Sequence, residues 1–141
     1  MPLPTVVIAQ NDPSIVRELV HELDLHFARV AVAESVMELR TFLLLHVVRL
    51  AVLDLEMVTL NEVHQLMRTF SNLTIVCTHR TPDEPMWMAA LKTGAVEFCH
   101  PMDISAILCA SRKGTRHHVP VAAKIFGSDL AMPRVGFSAS D

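Results

Sequence analysis

Short apolar runs rich in β-branched residues alternate along this chain with longer segments that repeat apolar residues at helical spacing. Such runs occur at 5–9, 29–33, 50–53, 73–77 and 95–99. A short continuous apolar run is typical of a strand buried on both faces, and such strands form parallel sheets covered by helices. The alternation therefore predicts an α/β domain built on a doubly wound, five-stranded parallel sheet.

The segments between the runs carry the signals of helices. Asp12 before Pro13 predicts an N-cap followed by proline at the first helical position, and the apolar spacing continues to about His26. Further helices are predicted at 34–47, 61–70, 82–93 and 104–113. The helix at 82–93 is followed by Gly94, a residue favoured just after a helix C-terminus. The residues of the second helix expected to face the core are Val36, Leu39, Leu43 and Leu44.

The 141 residues suffice for one domain, which we predict to span 1–113 and to be followed by a poorly ordered tail or linker at 114–141. The longest apolar candidate for a membrane segment, 42–48, is far shorter than the roughly 18 residues needed to cross a bilayer. A net charge of −3 gives no general attraction to nucleic acid. We expect a cytoplasmic protein without membrane or direct nucleic-acid partners, because no signal-peptide pattern is present.

Polar and thiol side chains are concentrated where the predicted strands end. In an open parallel sheet, ligands bind beyond the carboxyl ends of the strands. The chain has only four glycines, and none lies in the first strand–helix turn, so a phosphate-cradling nucleotide loop is not expected. The strand-end residues are Gln10, Asn11, Asp12, Asp54, Thr78, His79, Cys99 and His100.

Four segments between residue 5 and about residue 113 resemble the receiver domain of two-component response regulators, the CheY type. They are VVIAQNDP, AVLDLEM, TIVCT, and GAVEF followed shortly by Pro101. The resemblance implies a flavodoxin-like (βα)5 fold with strand order 2-1-3-4-5. It also implies a phosphorelay role, with a sensor histidine kinase or another signalling protein as partner. Enzymatic activity would be limited to slow self-phosphorylation and dephosphorylation.

The resemblance assigns roles to five residues. Asp54 matches the phospho-acceptor. The Mg²⁺ that neutralises the phosphoryl oxygens would be held by Asp54, by Asn11 from the pair after the first strand, and by the backbone carbonyl of Glu56. Thr78 matches the hydroxyl that reports the modification, and Phe98 matches the aromatic switch position.

The sequence departs from the family pattern at the acidic pair. In the favoured alignment the pair falls on Gln10 and Asn11, which are both neutral, and Asp12 caps the first helix. A register shift of one residue would place Asn11 and Asp12 in the pair and restore one acid. Mg²⁺ prefers carboxylate oxygens, so its site is predicted to be weak or absent. We therefore expect a pseudo-receiver with slow or absent phosphorylation at Asp54.

Two further departures concern the loops. No lysine precedes Pro101, where Cys99 and His100 stand instead. A charged His100 facing the pocket would partly replace that lysine. The proline and glycine usual after the acceptor are replaced by Val58 and Glu62.

Two alternatives to the pseudo-receiver stay open. One is an orthodox Mg²⁺-dependent phospho-acceptor. The other is a small flavodoxin-like enzyme or metal-binding protein, because Cys77, His79, Cys99 and His100 would be good zinc ligands if the fourth and fifth strand ends met. Against the second, successive strand residues point to opposite faces, so the two cysteines would simply fill the core.

An apolar group on the fourth helix is a candidate partner surface. Met86, Trp87 and Met88 are residue types favoured at protein contacts. The helical period requires at least one of them to face the core. The resemblance implies contact, including homodimerisation, through the face made by the fourth helix, fifth strand and fifth helix.

Overall fold

The computed structural model describes residues 5–113, which form five strands and five helices in strict alternation. The strands are β1 Thr5–Ala9, β2 Arg29–Ala33, β3 Leu50–Asp54, β4 Thr74–Thr78 and β5 Glu97–Cys99. The helices are α1 Pro13–Leu23, α2 Val36–Leu45, α3 Leu60–Thr69, α4 Glu84–Thr93 and α5 Ile104–Lys113. The sheet is parallel in the order β2-β1-β3-β4-β5, which confirms the predicted architecture. The tail predicted at 114–141 lies outside the described residues.

The helix α1 begins as the sequence predicts. The Asp12 side chain accepts a hydrogen bond of 2.9 Å from the Ser14 backbone N–H, and Pro13 follows the cap. The helix ends at Leu23, earlier than the predicted His26. The chain turns there because the Phe27 N–H bonds to the Leu23 carbonyl, and this turn carries the Phe27 ring into the core.

The two residues that replace the usual proline and glycine after the acceptor, Val58 in the loop after β3 and Glu62 in the first turn of α3, have structural roles. Val58 is fully buried in the core. Glu62 completes a capping box with Thr59: the Glu62 N–H donates to Thr59 Oγ1 at 3.1 Å, and the Thr59 N–H donates to Glu62 Oε1 at 2.9 Å. Two otherwise unpaired donors at the start of α3 are thereby satisfied.

The sheet separates two hydrophobic layers, because successive side chains of each strand leave on opposite faces. One layer packs against α2, α3 and α4 and includes Val7, Ala9, Leu53, Cys77 and Phe98. The other packs against α1 and α5 and includes Val6, Ile8, Val52, Val76 and Cys99. This division decides which strand-end side chains can meet.

The prediction that Leu44 faces the core is wrong. Leu39 and Leu43 are buried and Val36 is partly buried, whereas Leu44 is 71 % exposed. The helix α2 covers the edge of the sheet beside β2, and a stripe through Leu39 and Leu43 suffices there. One further residue along the helix turns the side chain by about 100°, away from the sheet. The exposed apolar residues of this region are Met37, Leu44, Leu45 and Val47.

Gly94 terminates α4 as predicted. Its φ of 126° lies in the region that favours glycine. A Cβ atom at this position would lie 3.2 Å from Cε and Cγ of Met67. In addition, the Gly94 N–H bonds to the Ala90 carbonyl and closes the helix.

Within residues 5–113 no helix is long and apolar enough to cross a bilayer.

Candidate functional site

Three polar side chains meet at the carboxyl ends of adjacent strands. Asp54 ends β3 and is paired in register with Thr78, which ends β4. Gln10 directly follows β1, whose Ala9 is paired with Leu53. By strand alternation all three side chains leave the sheet on the side of α1 and α5. Each is buried: Gln10 is 5 % exposed, and Asp54 and Thr78 are 1 % exposed.

Hydrogen bonds from three neutral donors hold the Asp54 side chain. Gln10 Nε2 donates to Asp54 Oδ2 at 2.9 Å, and Thr78 Oγ1 donates to the same oxygen at 3.0 Å. The Glu56 backbone N–H donates to Asp54 Oδ1 at 2.9 Å. Both carboxylate oxygens are therefore engaged by the protein itself.

The orientation of the Gln10 amide is fixed by its other contacts. Its Oε1 atom accepts from the backbone N–H groups of Asn11 and Asp12, both at 3.0 Å. A rotation of the amide by 180° would point its NH₂ group at these two donors and break both bonds. Gln10 thus presents a donor nitrogen, not an oxygen, to Asp54.

These bonds compensate the cost of burying a carboxylate. An isolated buried charge is strongly unfavourable, whereas hydrogen bonds to a charged group contribute roughly 1.5–3 kcal/mol each. Removing one donor leaves part of that cost unbalanced. The network consequently makes Asp54 a structural link between the ends of β1, β3 and β4.

A cation that was not predicted from the sequence lies beside this network, and we call Gln10, Asp54 and Thr78 together with the adjoining Glu56 and Arg80 the Asp54 pocket. Arg80 forms a paired contact with Glu56, with Nε–Oε1 at 2.8 Å and Nη2–Oε2 at 3.0 Å. This hydrogen bonding lowers the pKa of Glu56 and raises that of Arg80. The charges of Asp12 and Asp54 raise the pKa of Arg80 further. The available signal was a basic residue two positions after the strand-end hydroxyl of Thr78.

Asn11 and Asp12, the next two residues of the β1–α1 turn, are not among the three residues that donate to the Asp54 carboxylate. Asn11 is exposed. The Asp12 carboxylate accepts from the Ser14 N–H and hydroxyl, and these bonds lower its pKa. The cap role predicted for Asp12 is therefore confirmed, and the alternative register gains no contact in its favour.

The residues present do not fit a Mg²⁺ ion. Mg²⁺ requires nearly octahedral oxygen ligands and prefers carboxylates. Here Gln10 offers a donor, and the Asp54 oxygens already accept three hydrogen bonds. Among residues 5–113, no three His, Cys, Asp or Glu side chains are grouped to hold a metal ion. The Glu56 carbonyl role that the resemblance implies stays a prediction.

His100 and Phe98 are separated from the Asp54 network. His100 is exposed, and its Nδ1 accepts from the Met102 N–H at 3.0 Å within the local turn. The register pairs Phe98 with Cys77 and Thr78 with Cys99, so Phe98 and Thr78 face opposite sides of the sheet. The replacement of lysine by His100 and the switch role of Phe98 stay predictions without a contact to Asp54 or Thr78.

The two strand cysteines occupy different core layers. Cys77 lies on the side of α2, α3 and α4, and Cys99 lies on the side of α1 and α5. Burial raises the pKa of each thiol to about 12. The Nδ1 atom of His79 accepts from the Thr81 N–H at 3.0 Å. Thus the geometry favours core packing of these cysteines over a shared metal site.

The apolar group on α4 is divided between core and surface. Met86 is partly buried against the first core layer, while Trp87 and Met88 are 43 % and 50 % exposed. The requirement that one of the three faces the core is therefore met by Met86.

No family model and no curated protein matches the sequence. The fold, by contrast, is that of response-regulator receiver domains. A response regulator from Thermotoga maritima aligns with a TM-score of 0.70 and 21 % identity, over 80 % of this chain and 98 % of that one. The beryllofluoride-activated NtrC4 receiver domain dimer aligns at 0.71 and 17 % identity, over 79 % and 95 %. The signal receiver domain of NarL from Mycobacterium tuberculosis aligns at 0.68 and 17 % identity, over 79 % and 98 %.

Proposed function

We propose that this chain is a receiver-like regulatory module of two-component (phosphorelay) signal transduction. It acts mainly by protein–protein contact, and phosphorylation at Asp54 is weak or absent. Its partners are a sensor histidine kinase or another signalling protein. The cytoplasmic location expected from the sequence stays a prediction of the same proposal.

The observation that carries this proposal is the buried hydrogen bond of 2.9 Å between Gln10 Nε2 and Asp54 Oδ2. Phosphoryl transfer depends almost entirely on positioning and on cations that neutralise the transferred group. A neutral amide supplies no net charge, and it covers an oxygen that would have to attack. The receiver fold is thus retained while its carboxylate serves a structural purpose.

An orthodox phospho-acceptor is the second candidate, and one observation favours it. Thr78 Oγ1 lies 3.0 Å from Asp54 Oδ2 at the end of the neighbouring strand, where the resemblance expects the reporting hydroxyl. Arg80 would add a positive charge near the pocket. This candidate requires the Gln10 bond to break before transfer.

Acetyl phosphate with Mg²⁺ separates the two candidates when intact mass is measured. Under our proposal the wild-type protein gains a phosphoryl group in at most a small fraction of molecules, and the Asp54→Asn control gains none. The Gln10→Asp/Asn11→Asp variant, which restores both acids of the pair, should gain one. A wild-type adduct that disappears in Asp54→Asn would instead establish the orthodox acceptor.

The surface proposed for partner contact is the α4–β5–α5 face, with Trp87 and Met88 at its exposed part. Homodimerisation through this face is part of the proposal. The small flavodoxin-like enzyme or metal-binding alternative has weaker support, because Cys77 and Cys99 lie in different core layers. Absorbance and elemental analysis of the purified protein would detect a bound cofactor or zinc.

A further inference from the structure

A side-chain ion pair lies beside the buried Asp54 network. Glu56 pairs directly with Arg80, and the charges of Asp12 and Asp54 also act on that guanidinium. Arg80 forms an ion pair with Glu56, so the cation at this edge of the pocket is supplied by the chain itself. The side chains of Arg80 and Glu56 are 56 % and 37 % exposed, so their ion pair lies at the rim of the pocket.

In the interior of the same pocket, the Gln10 amide also takes the place of a cation. Gln10 Nε2 lies 2.9 Å from Asp54 Oδ2, and its Oε1 atom binds two backbone N–H groups of the β1–α1 turn. The amide thus joins the tip of β3 to the turn after β1. A metal ion bound between these elements would hold them together in the same way.

We propose that Gln10 and Arg80 together do for this pocket what a bound divalent cation would do, so that the pocket is assembled without metal. This inference rests on the proposed function, because it takes the Asp54 pocket to be that of a receiver-like domain. It goes further by assigning the cation's position to two residues of the chain. Gln10 donates a hydrogen bond to the buried Asp54 carboxylate, and Arg80 forms an ion pair with the Glu56 carboxylate at the rim.

A covalently attached cation differs from a bound one in a way that affects regulation. An arginine side chain cannot dissociate or lose its proton in the physiological range. The Gln10–Asp54 bond joins the ends of β1 and β3, and the Glu56–Arg80 pair joins the loops after β3 and β4. Neither contact then depends on the Mg²⁺ concentration. The side chains around Asp54 consequently keep the same contacts at every Mg²⁺ concentration.

The test is a titration with Mg²⁺ alone, at constant ionic strength maintained with KCl because surface charges are screened by salt. Thermal unfolding and the amide NMR signals of residues 10–12 and 54–56 are followed. Wild-type protein is compared with Arg80→Met, with Gln10→Asp/Arg80→Met, and with Lys92→Met as a matched loss of charge on α4. Circular dichroism confirms that each variant is folded.

We expect a saturable response in the double variant, and no saturation in wild type or Lys92→Met up to a Mg²⁺ concentration about tenfold above the midpoint of that variant. Arg80→Met should give an intermediate response. Because this variant is changed only at an exposed position, it still tests the inference if the double variant does not fold. A saturable wild-type response equal to that of the variants overturns the inference, and so does a flat response in every folded variant. Metal binding by unphosphorylated wild type would leave the proposed function intact, whereas labelling of Asp54 by acetyl phosphate in most wild-type molecules would overturn the proposed function itself.

Discussion

Gln10 and Asp54, separated by 44 positions in the chain, are joined by a buried hydrogen bond of 2.9 Å. The bond links the end of β1 to the end of β3 in the middle of the sheet. Gln10 also accepts from two backbone N–H groups, so its amide makes three hydrogen bonds, as many as the Asp54 carboxylate. Its contribution to folding can be measured independently of any signalling partner.

Gln10→Leu should lower the free energy of unfolding by about 2 kcal/mol. Leucine is uncharged and of similar size, but the substitution removes one of the three donors to the buried Asp54 carboxylate and leaves two backbone donors without their acceptor. Urea denaturation monitored by circular dichroism measures the change. Asn11→Ala, at the exposed neighbouring position, is the control and should cost less than about 0.5 kcal/mol. Equal effects of the two substitutions would argue against a structural role for the Gln10 amide.

The Glu56 carboxyl should titrate at a pH below the ordinary glutamate range, because its hydrogen bond with Arg80 lowers its pKa. A depressed pKa in the folded state means that the ion pair stabilises the fold above the ordinary glutamate pKa. That contribution is lost as pH falls through the lowered value. Carboxyl ¹³C NMR titration measures the midpoint.

Arg80→Met should return the Glu56 midpoint toward the ordinary range, whereas Lys92→Met should leave it where it is in wild type. A Glu56 midpoint that does not move in Arg80→Met would show that the pair is absent in solution. High salt should reduce the difference between wild type and Arg80→Met, since both side chains are partly exposed.

Only one of the three cysteines should react rapidly with a thiol reagent in the native protein. Cys109 is exposed, while Cys77 and Cys99 are buried with pKa values raised to about 12. The thiolate is the reactive form, so burial suppresses both access and ionisation of the latter two. Iodoacetamide labelling followed by peptide mass analysis identifies the modified residue. Rapid native labelling of Cys77 or Cys99 would contradict the described core, and Cys109→Ser should abolish the fast reaction.

Trp87→Gln should weaken self-association of the protein by about tenfold or more, because an exposed aromatic residue at a contact surface commonly contributes over 1 kcal/mol to binding. Sedimentation equilibrium across a range of protein concentrations measures the dissociation constant. Leu45→Gln on α2 removes an apolar side chain that is 72 % exposed and serves as the matched control. If Leu45→Gln has the larger effect, the contact surface lies beside β2 and not on the α4–β5–α5 face.

The fold could be predicted because its information is local. Each buried strand is a short β-branched run, and helix starts such as Asp12-Pro13 carry their own signals. Boundaries were less accurate where tertiary contacts decide them, as at the end of α1, where burial of Phe27 turns the chain. The burial of Leu44 was mispredicted for a related reason: periodicity gives a stripe of apolar residues but not its width, which depends on how much of the sheet the helix covers.

The sequence by itself determined the order of elements, the position of Asp54 at the tip of the central strand, and the presence of the neutral residues Gln10 and Asn11 after β1. Only the tertiary structure decided how the pocket is assembled. Gln10 donates to Asp54, and Arg80 pairs with Glu56, so each contact joins residues from different strand ends. The side-chain directions of residues so far apart in the chain follow from strand register and burial. From the sequence, Gln10 is only a residue without charge. In the folded domain, its amide donates a hydrogen bond to the buried Asp54 carboxylate.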